Sequence, residues 1–346
     1  MARQELGPAG LKVAHAVRTV LRAVVADGLP AGRTVGRRPV QRIVVGVSGG
    51  ADSLALAAGT AWCSRRVDEL AGLDVSAVVV DHALQEGSDA VAARAAAQVE
   101  TLGVPARVVR VEVADRGEGP EAAARVSRYR ALLADRDALV LVGHTLDDQA
   151  ETVLLGLARG SGTRSLAGMA QRQGRLLRPL LGVRRAETAA ACREAGLEPW
   201  SDPHNDDPSY SRSRLRAALG TLADVLGPGL PEALARTAEL CRADADLLDA
   251  LAARVLVDAS QEGGAVAVAT LLHADRALRD RALLTWLRRE GVADVSAGHV
   301  RAVAELVTDW RGQVGVDVPG ARVARDGRLL RVLRDEVRSP GGGVQD

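Results

Sequence analysis

Ile43-Val44-Val45-Gly46-Val47-Ser48-Gly49-Gly50-Ala51-Asp52-Ser53 joins a β-branched apolar run, through a serine–glycine turn, to Leu54-Ala55-Leu56-Ala57. The run lacks polar alternation, which predicts a parallel strand, Ile43–Val47, buried on both faces. A helix is predicted from Ser53 to Ser64. Gly49 and Gly50 let backbone N–H groups approach an anion without a Cβ in the way. The helix that follows adds unpaired N–H groups and the positive end of its dipole. Ser48 and Ser53 supply hydroxyl donors. Asp52 would repel a phosphate, so its place in the turn implies a Mg²⁺ ion between the two. The turn has neither the lysine of GxxxxGK[ST] nor the spacing of GxGxxG.

Outward from this stretch, strands and helices alternate. Strands are predicted at Val75–Val80, Ala106–Val113, Ala138–Val142 and Leu176–Leu180. Helices are predicted near 12–27, 90–102, 120–134, 147–158 and 184–195. Such alternation implies an α/β fold, a right-handed, doubly wound parallel sheet with its ligand at the carboxyl ends of the strands. From Pro231 the pattern becomes helical, at 231–258, 276–290 and 297–310, and Val314–Leu333 reads as short strands turning at Asp326-Gly327. Gly227-Pro228-Gly229 suggests a boundary between a catalytic domain, 1–228, and a smaller, mainly helical domain, 229–338. Residues 339–346 read as a disordered tail.

Two further clusters carry chemistry. Gly143-His144-Thr145-Leu146-Asp147-Asp148-Gln149-Ala150-Glu151-Thr152 opens a helix at the sheet's carboxyl edge. Asp148 and Glu151, three apart, share a helical face and can hold Mg²⁺ or a substrate ammonium. His144 reaches the same cleft. Asp147 alone is better read as complementing the helix N-terminus. Between Thr152 and Ala186 stand seven arginines and no acidic residue. Together with Arg212, Arg214 and Arg216 they suggest RNA phosphate contacts, with Arg159, Arg164, Arg178, Arg212 and Arg214 as candidates. Arg125 and Arg128, three apart on a predicted helix, could neutralise a triphosphate or pair with nearby acids.

Composition narrows the class. A net charge of +1 over 346 residues gives no global attraction to nucleic acid or anionic membrane. Nearly all positive charge is arginine, with Lys12 the lone lysine, which reads as genome bias. Cys63, Cys192 and Cys241 are far apart, which argues against a disulfide scaffold or thiolate cluster. Cys63 reads as a small buried hydrophobe, and Trp286 and Trp310 as helix-packing anchors. No apolar run of about 18 residues exists, so no membrane span is expected, and the cytoplasm is the expected compartment.

The motifs together resemble one family. Ser48–Ser53 matches SGGxDS, the signature of the N-type ATP pyrophosphatases (the PP-loop superfamily). The 143–152 segment resembles GHxxDDQAET of the tRNA(Ile)-lysidine synthases. Asp81-His82-Ala83-Leu84 resembles that family's DHGL, with Ala83 for glycine. Glu121–Tyr129, Arg159–Gly162 and Arg178–Leu181 resemble its ExxAR..RY, RGSG and RPLL segments. Asp202–Arg216 resembles its DPSNxDxxYxRNRxR block, with His204 for serine and Ser213 for asparagine. The likeness is good over 40–220 and looser beyond.

It implies ATP and Mg²⁺ as cofactors. The CAU-anticodon isoleucine tRNA and free lysine are the implied partners, without a membrane, and a homodimer is compatible. The implied reaction adenylates the wobble cytidine and then joins it to the lysine ε-amine. The implied nucleotide-binding residues are Ser48, Gly49, Gly50, Ala51, Asp52, Ser53, Asp81, His82 and Arg125. Asp52, Arg128, His144, Asp148 and Glu151 are the implied catalytic residues, and Asp52 and Asp148 the metal ligands. Other readings are a sibling enzyme, a tRNA thiolase or amide-forming synthetase, and a non-enzymatic nucleotide-binding module.

Overall fold

The computed structural model describes residues 5–26, 34–35, 38–39, 41–83, 87–112, 120–160, 162–201 and 211–334. The expected tail at 339–346 and His204 lie outside them. In chain order come α1 (Pro8–Ala26), the two-residue pair β1 (Thr34–Val35) and β2 (Arg38–Pro39), β3 (Arg42–Val47), α2 (Ala51–Arg66), β4 (Asp74–Asp81) and α3 (Ser88–Thr101). Next are β5 (Ala106–Arg110), α4 (Pro120–Leu132), β6 (Ala138–Leu141), α5 (Leu146–Ala158) and α6 (Thr163–Leu166). They are followed by β7 (Arg172–Gln173), β8 (Leu176–Leu177), α7 (Arg185–Glu194), α8 (Ser211–Leu226) and α9 (Leu230–Ala259). The chain closes with β9 (Val266–Ala267), α10 (Val268–His273), α11 (Arg276–Arg289), α12 (Ala297–Thr308), β10 (Val316–Val318), β11 (Ala321–Asp326) and β12 (Leu329–Leu333).

The main sheet has the order β5-β4-β3-β6-β8-β7, parallel except for the β7–β8 pair. Its central strands β3 and β6 are apolar on both sides because both sides are covered. Ile43, Val45 and Val47 face a core shared with α1, α2, α3 and α7. Val44, Val78 and Val140 face Leu132 on the other side, against α4. From β3 the chain winds one way through β4 and β5, then returns to place β6 on the opposite flank of β3. The carboxyl ends of β3 and β6 therefore form the switch point at which such sheets bind ligands.

The expected strand at Leu176–Leu180 is two residues long. Pro179 lacks an N–H for the ladder, and Pro179–Gly182 forms a 3₁₀ turn instead. The polar edge strand β7 was not anticipated. It is paired antiparallel to β8 across a turn at Gly174, whose φ is +59°.

The chain divides into two compact units, Met1–Arg242 and Ala243–Asp346. The Gly227-Pro228-Gly229 break separates α8 from α9, but the division falls later, within α9. Its first turns are tied to the first unit: Glu232 pairs with Arg184 at 3.2 Å, and Arg242 donates to the carbonyls of Ala167 and Gly168 at 2.6 and 2.8 Å. The second unit has its own core around Leu256, Leu271, Leu283 and Trp286. The short strands expected over Val314–Leu333 are β10–β12, and β9, which was not expected, joins them in a four-stranded antiparallel sheet. Trp286 is buried and donates to Gly264 O at 2.8 Å. Trp310 is 40% exposed and stacks instead under Arg325, 4.5 Å from the ring centre. No helix among the described residues is long and apolar enough to cross a membrane.

Candidate active site

A cleft of about 600 Å³ opens at the switch point, lined entirely from the first unit. Its floor is the turn Ser48–Ser53. Gly49 has φ +86°, and Gly50 is the extended N-cap of α2, with no side chain capping that helix. The N–H groups of its first turn are thus left for an anion. Ser53 is buried, and its hydroxyl accepts from Ser48 N at 3.1 Å and donates to Gly50 O at 2.9 Å. It shapes the loop with the proton that sequence reasoning assigned to a phosphate. Trp200, which sequence reasoning passed over, lines the cleft and holds the loop by donating its backbone N–H to Gly49 O at 3.0 Å. Gly143 lets the end of β6 meet the start of α2. A Cβ there would lie 2.9 Å from the Asp52 carbonyl and 3.1 Å from Ser53 N.

Opposite the turn stands the start of α5. Thr145 and Asp148 form a capping box. Thr145 N and Oγ1 donate to Asp148 Oδ2 at 2.8 and 2.9 Å, and Asp148 N donates to Thr145 Oγ1 at 3.4 Å. Capping of α5 therefore falls to Asp148 with Thr145, and not to Asp147. Asp147 pairs with Arg184 at 2.9 Å and accepts the Arg185 N–H at 2.7 Å. Glu151 is buried and takes Arg185 at 3.3 Å and Arg216 at 3.1 Å. Asp148 and Glu151 do share a face, bridged by the guanidinium of Arg185. Its Nη2 donates to Asp148 Oδ1 at 2.7 Å, and its Nε lies 3.7 Å from Asp52 Oδ2. Asp52 also accepts a short hydrogen bond from the Thr188 hydroxyl.

The electrostatics differ between the acids. Burial pushes Asp52 up to about 6, against the Thr188 hydroxyl and Arg185. Burial would raise Asp148 too, but Arg185 and the Thr145 N–H outweigh it and hold that carboxyl below its ordinary value. Burial pushes His144 down to about 4, so the imidazole is neutral at pH 7. Burial and then Arg128 lower His82. The Nδ1 atoms of His82 and His144 are buried without a hydrogen-bond partner, polar atoms of the cleft wall that a bound ligand could satisfy.

Of the expected residues, Ser48, Gly50, Ala51, Asp52, Ser53, Asp81, His82, Arg128, His144 and Asp148 line the cleft, while Gly49 and Glu151 do not. Ala83, standing where the motif has glycine, has φ +52°, a conformation glycine adopts more easily, and its N–H donates to Asp81 Oδ1 at 2.9 Å. Arg125 lies over the Tyr129 ring at 5.1 Å and does not line the cleft.

The arginine cluster divides. Arg159, Arg164, Arg172 and Arg214 are exposed. Arg175 binds three carbonyls at the end of α4 and the start of β6. Arg178 must be corrected: it is 4% exposed and donates to Ala170 O at 2.7 Å and Gln173 Oε1 at 3.1 Å, a structural role that leaves no guanidinium for RNA. Arg184 and Arg185 serve carboxylates. The side chain of Arg212 lies outside the described residues.

No cluster of three or more His, Cys, Asp or Glu side chains among the described residues forms a ready metal cage. Two carboxylates on one cleft suit Mg²⁺ of the kind held by one or two carboxylates and completed by phosphates and water, and Asp52 and Asp148 are the pair that could supply them.

Comparison with known proteins agrees with this geometry. A PP-loop domain model matches residues 20–222, and a TilS substrate binding domain model matches 267–330. The tRNA(Ile)-lysidine synthase of Nocardia farcinica is 51% identical over 94% of this chain and 99% of its own length. The chain belongs to the tRNA(Ile)-lysidine synthase family. Other family members include those of Leifsonia xyli, 51% identical over 84% of this chain and 90% of the relative, and of Thermobifida fusca, 50% identical over 91% and 96%. The U34-tRNA thiolase NcsA of Methanococcus maripaludis has a similar fold, with a TM-score of 0.51 over 67% of this chain and 79% of its own, at 18% identity. In this family member Cys63 and Cys192 are buried within the helical layer and do not line the cleft, Cys192 lying behind the turn with its thiol 3.3 Å from Ala51 O.

Proposed function

We propose that this chain uses ATP to ligate lysine onto the wobble cytidine of the CAU-anticodon isoleucine tRNA, forming lysidine through an adenylated cytidine with release of AMP and pyrophosphate. The observation that carries the reading is a serine–glycine turn that shares one cleft with Asp148, which Arg185 bridges to Glu151, in a chain about half identical to enzymes of that name.

The residues divide the work by their chemistry. The uncapped first turn of α2 and the Gly49-Gly50 backbone cradle phosphate oxygens. Asp52, with Asp148 beside it, would hold Mg²⁺, which would supply neutralisation of the charge on the phosphates. Arg128, in the cleft wall, adds a guanidinium. Asp81 and His82 border the nucleotide at the end of β4, with Arg125 behind. Neutral His144 offers a hydrogen bond without adding charge. Asp148, held below its ordinary pKa, suits binding the lysine ammonium better than removing its proton. Glu151, clamped by two arginines, keeps Asp148's neighbourhood anionic. Arg159, Arg164, Arg212 and Arg214 meet tRNA phosphates.

Incorporation of labelled lysine into that tRNA by the purified chain tests the reading. The parent labels the tRNA in an ATP-dependent way, and Asp52→Ala lowers the rate about 100-fold or more. Labelling that persists in Asp52→Ala removes the site assignment. A parent that never labels the tRNA removes the function.

A further inference from the structure

The carboxylates offered to an incoming amine are already in use. Asp148 Oδ2 takes both donors of Thr145, at 2.8 and 2.9 Å, and is committed to capping α5. Its other oxygen, Oδ1, takes Arg185 Nη2 at 2.7 Å. Glu151 Oε1 takes Arg185 at 3.3 Å and Arg216 at 3.1 Å. An ammonium that is to take Asp148 Oδ1 therefore competes there with Arg185.

Arg185 is built to yield that contact. Its backbone is the first residue of α7, and its N–H is held by Asp147 at 2.7 Å, so the main chain is anchored while the side chain can rotate. The side chain lines the same cleft as the phosphate turn, and 30% of it is exposed. A guanidinium binds phosphate oxygens in a bidentate fork at least as well as it binds carboxylates. ATP brought to Ser48–Ser53 is thus a rival for the guanidinium.

We propose that Arg185 is a nucleotide-released lock on the amine seat: it holds Asp148 and Glu151 in the empty enzyme, and moves to phosphate oxygens once ATP enters, so that lysine binds after nucleotide. The identity of the amine rests on the function proposed above. Arg185 acts through the two acids, as a gating residue and not a catalytic one. The apparent affinity for lysine then scales with the fraction of molecules in which the lock is open.

Calorimetric titration of lysine into the full chain tests this, with and without Mg²⁺ and α,β-methylene ATP. In the parent, lysine binds at least about tenfold more tightly with the analogue than without it. In Arg185→Gln, affinity without the analogue rises, and the ratio falls towards one. Arg185→Lys, which keeps a charge but loses the fork, gives a ratio between the two. Lysine that binds the parent equally in both states, or in neither, overturns the lock, and that comparison needs no variant to fold. A ratio in Arg185→Gln as large as the parent's overturns it too. The tRNA-labelling assay keeps the two ideas apart: a parent that labels tRNA while its ratio is one loses the lock and retains the function.

Discussion

Asp52 has to carry a negative charge where burial opposes one. Its carboxyl is pushed from 3.8 up to about 6. Between those values the folded chain holds a proton there that the unfolded chain has lost. Stability from this group is therefore greatest at low pH and falls as pH rises through that window. Asp52→Asn removes the cost while keeping a partner for the Thr188 hydroxyl. In magnesium-free buffer the variant should be more stable than the parent above pH about 6.5, by about 1–3 kcal/mol, and the difference should shrink towards pH 4. Urea unfolding at the two pH values measures it, and equal midpoints at both would contradict the burial argument. A residue that destabilises the fold at working pH is a mark of function rather than of packing.

At the scale of the element, α5 presents its acids only as well as its N-terminus is set. Thr145 is fully buried, and its hydroxyl is both donor and acceptor to Asp148. Thr145→Ala should cost about 1–2 kcal/mol in thermal or urea unfolding. It should also raise the KM for lysine in the tRNA-labelling assay, because Asp148 loses a partner that fixes its rotamer. Thr145→Ser restores both if the hydroxyl is responsible. A lysine KM left unchanged in Thr145→Ala would show that the Thr145 hydroxyl does not orient the acid for lysine. The helices behind the site are set in a similar local way: at Gly59 an added Cβ would lie 2.8 Å from Val13 Cγ1, so α1 and α2 cross where a side chain is missing.

For the whole molecule, the consequence is two cores with separate duties. Every cleft residue lies between Gly46 and Arg216, in the first unit, whereas Trp286 belongs to the core of the second. Trp286→Ala should remove about 3–5 kcal/mol from the second unit, through lost burial and the lost bond to Gly264 O. The unfolding curve should then show an early transition, while binding of α,β-methylene ATP persists through it. A single transition that takes nucleotide binding with it would show that the two cores melt as one.

Sequence alone determined the α/β class, the order of the long elements, and the turn at Ser48–Ser53. These are encoded locally, in apolar runs, in glycines and in a motif contiguous along the chain. It also brought Asp148 and Glu151 to one face, since three residues along a helix is a local distance. What it could not determine was which arginine meets which acid. Arg185 lies 133 residues from Asp52 along the chain, and only the return of β6 and α7 beside β3 brings them together. The same holds for Arg178, whose charge suggested a surface until the β7–β8 turn enclosed it, and for Trp200, whose backbone steadies Gly49 from far along the chain. Charge is legible residue by residue, but burial and pairing are properties of the packed chain, and they decided which charges are free to act.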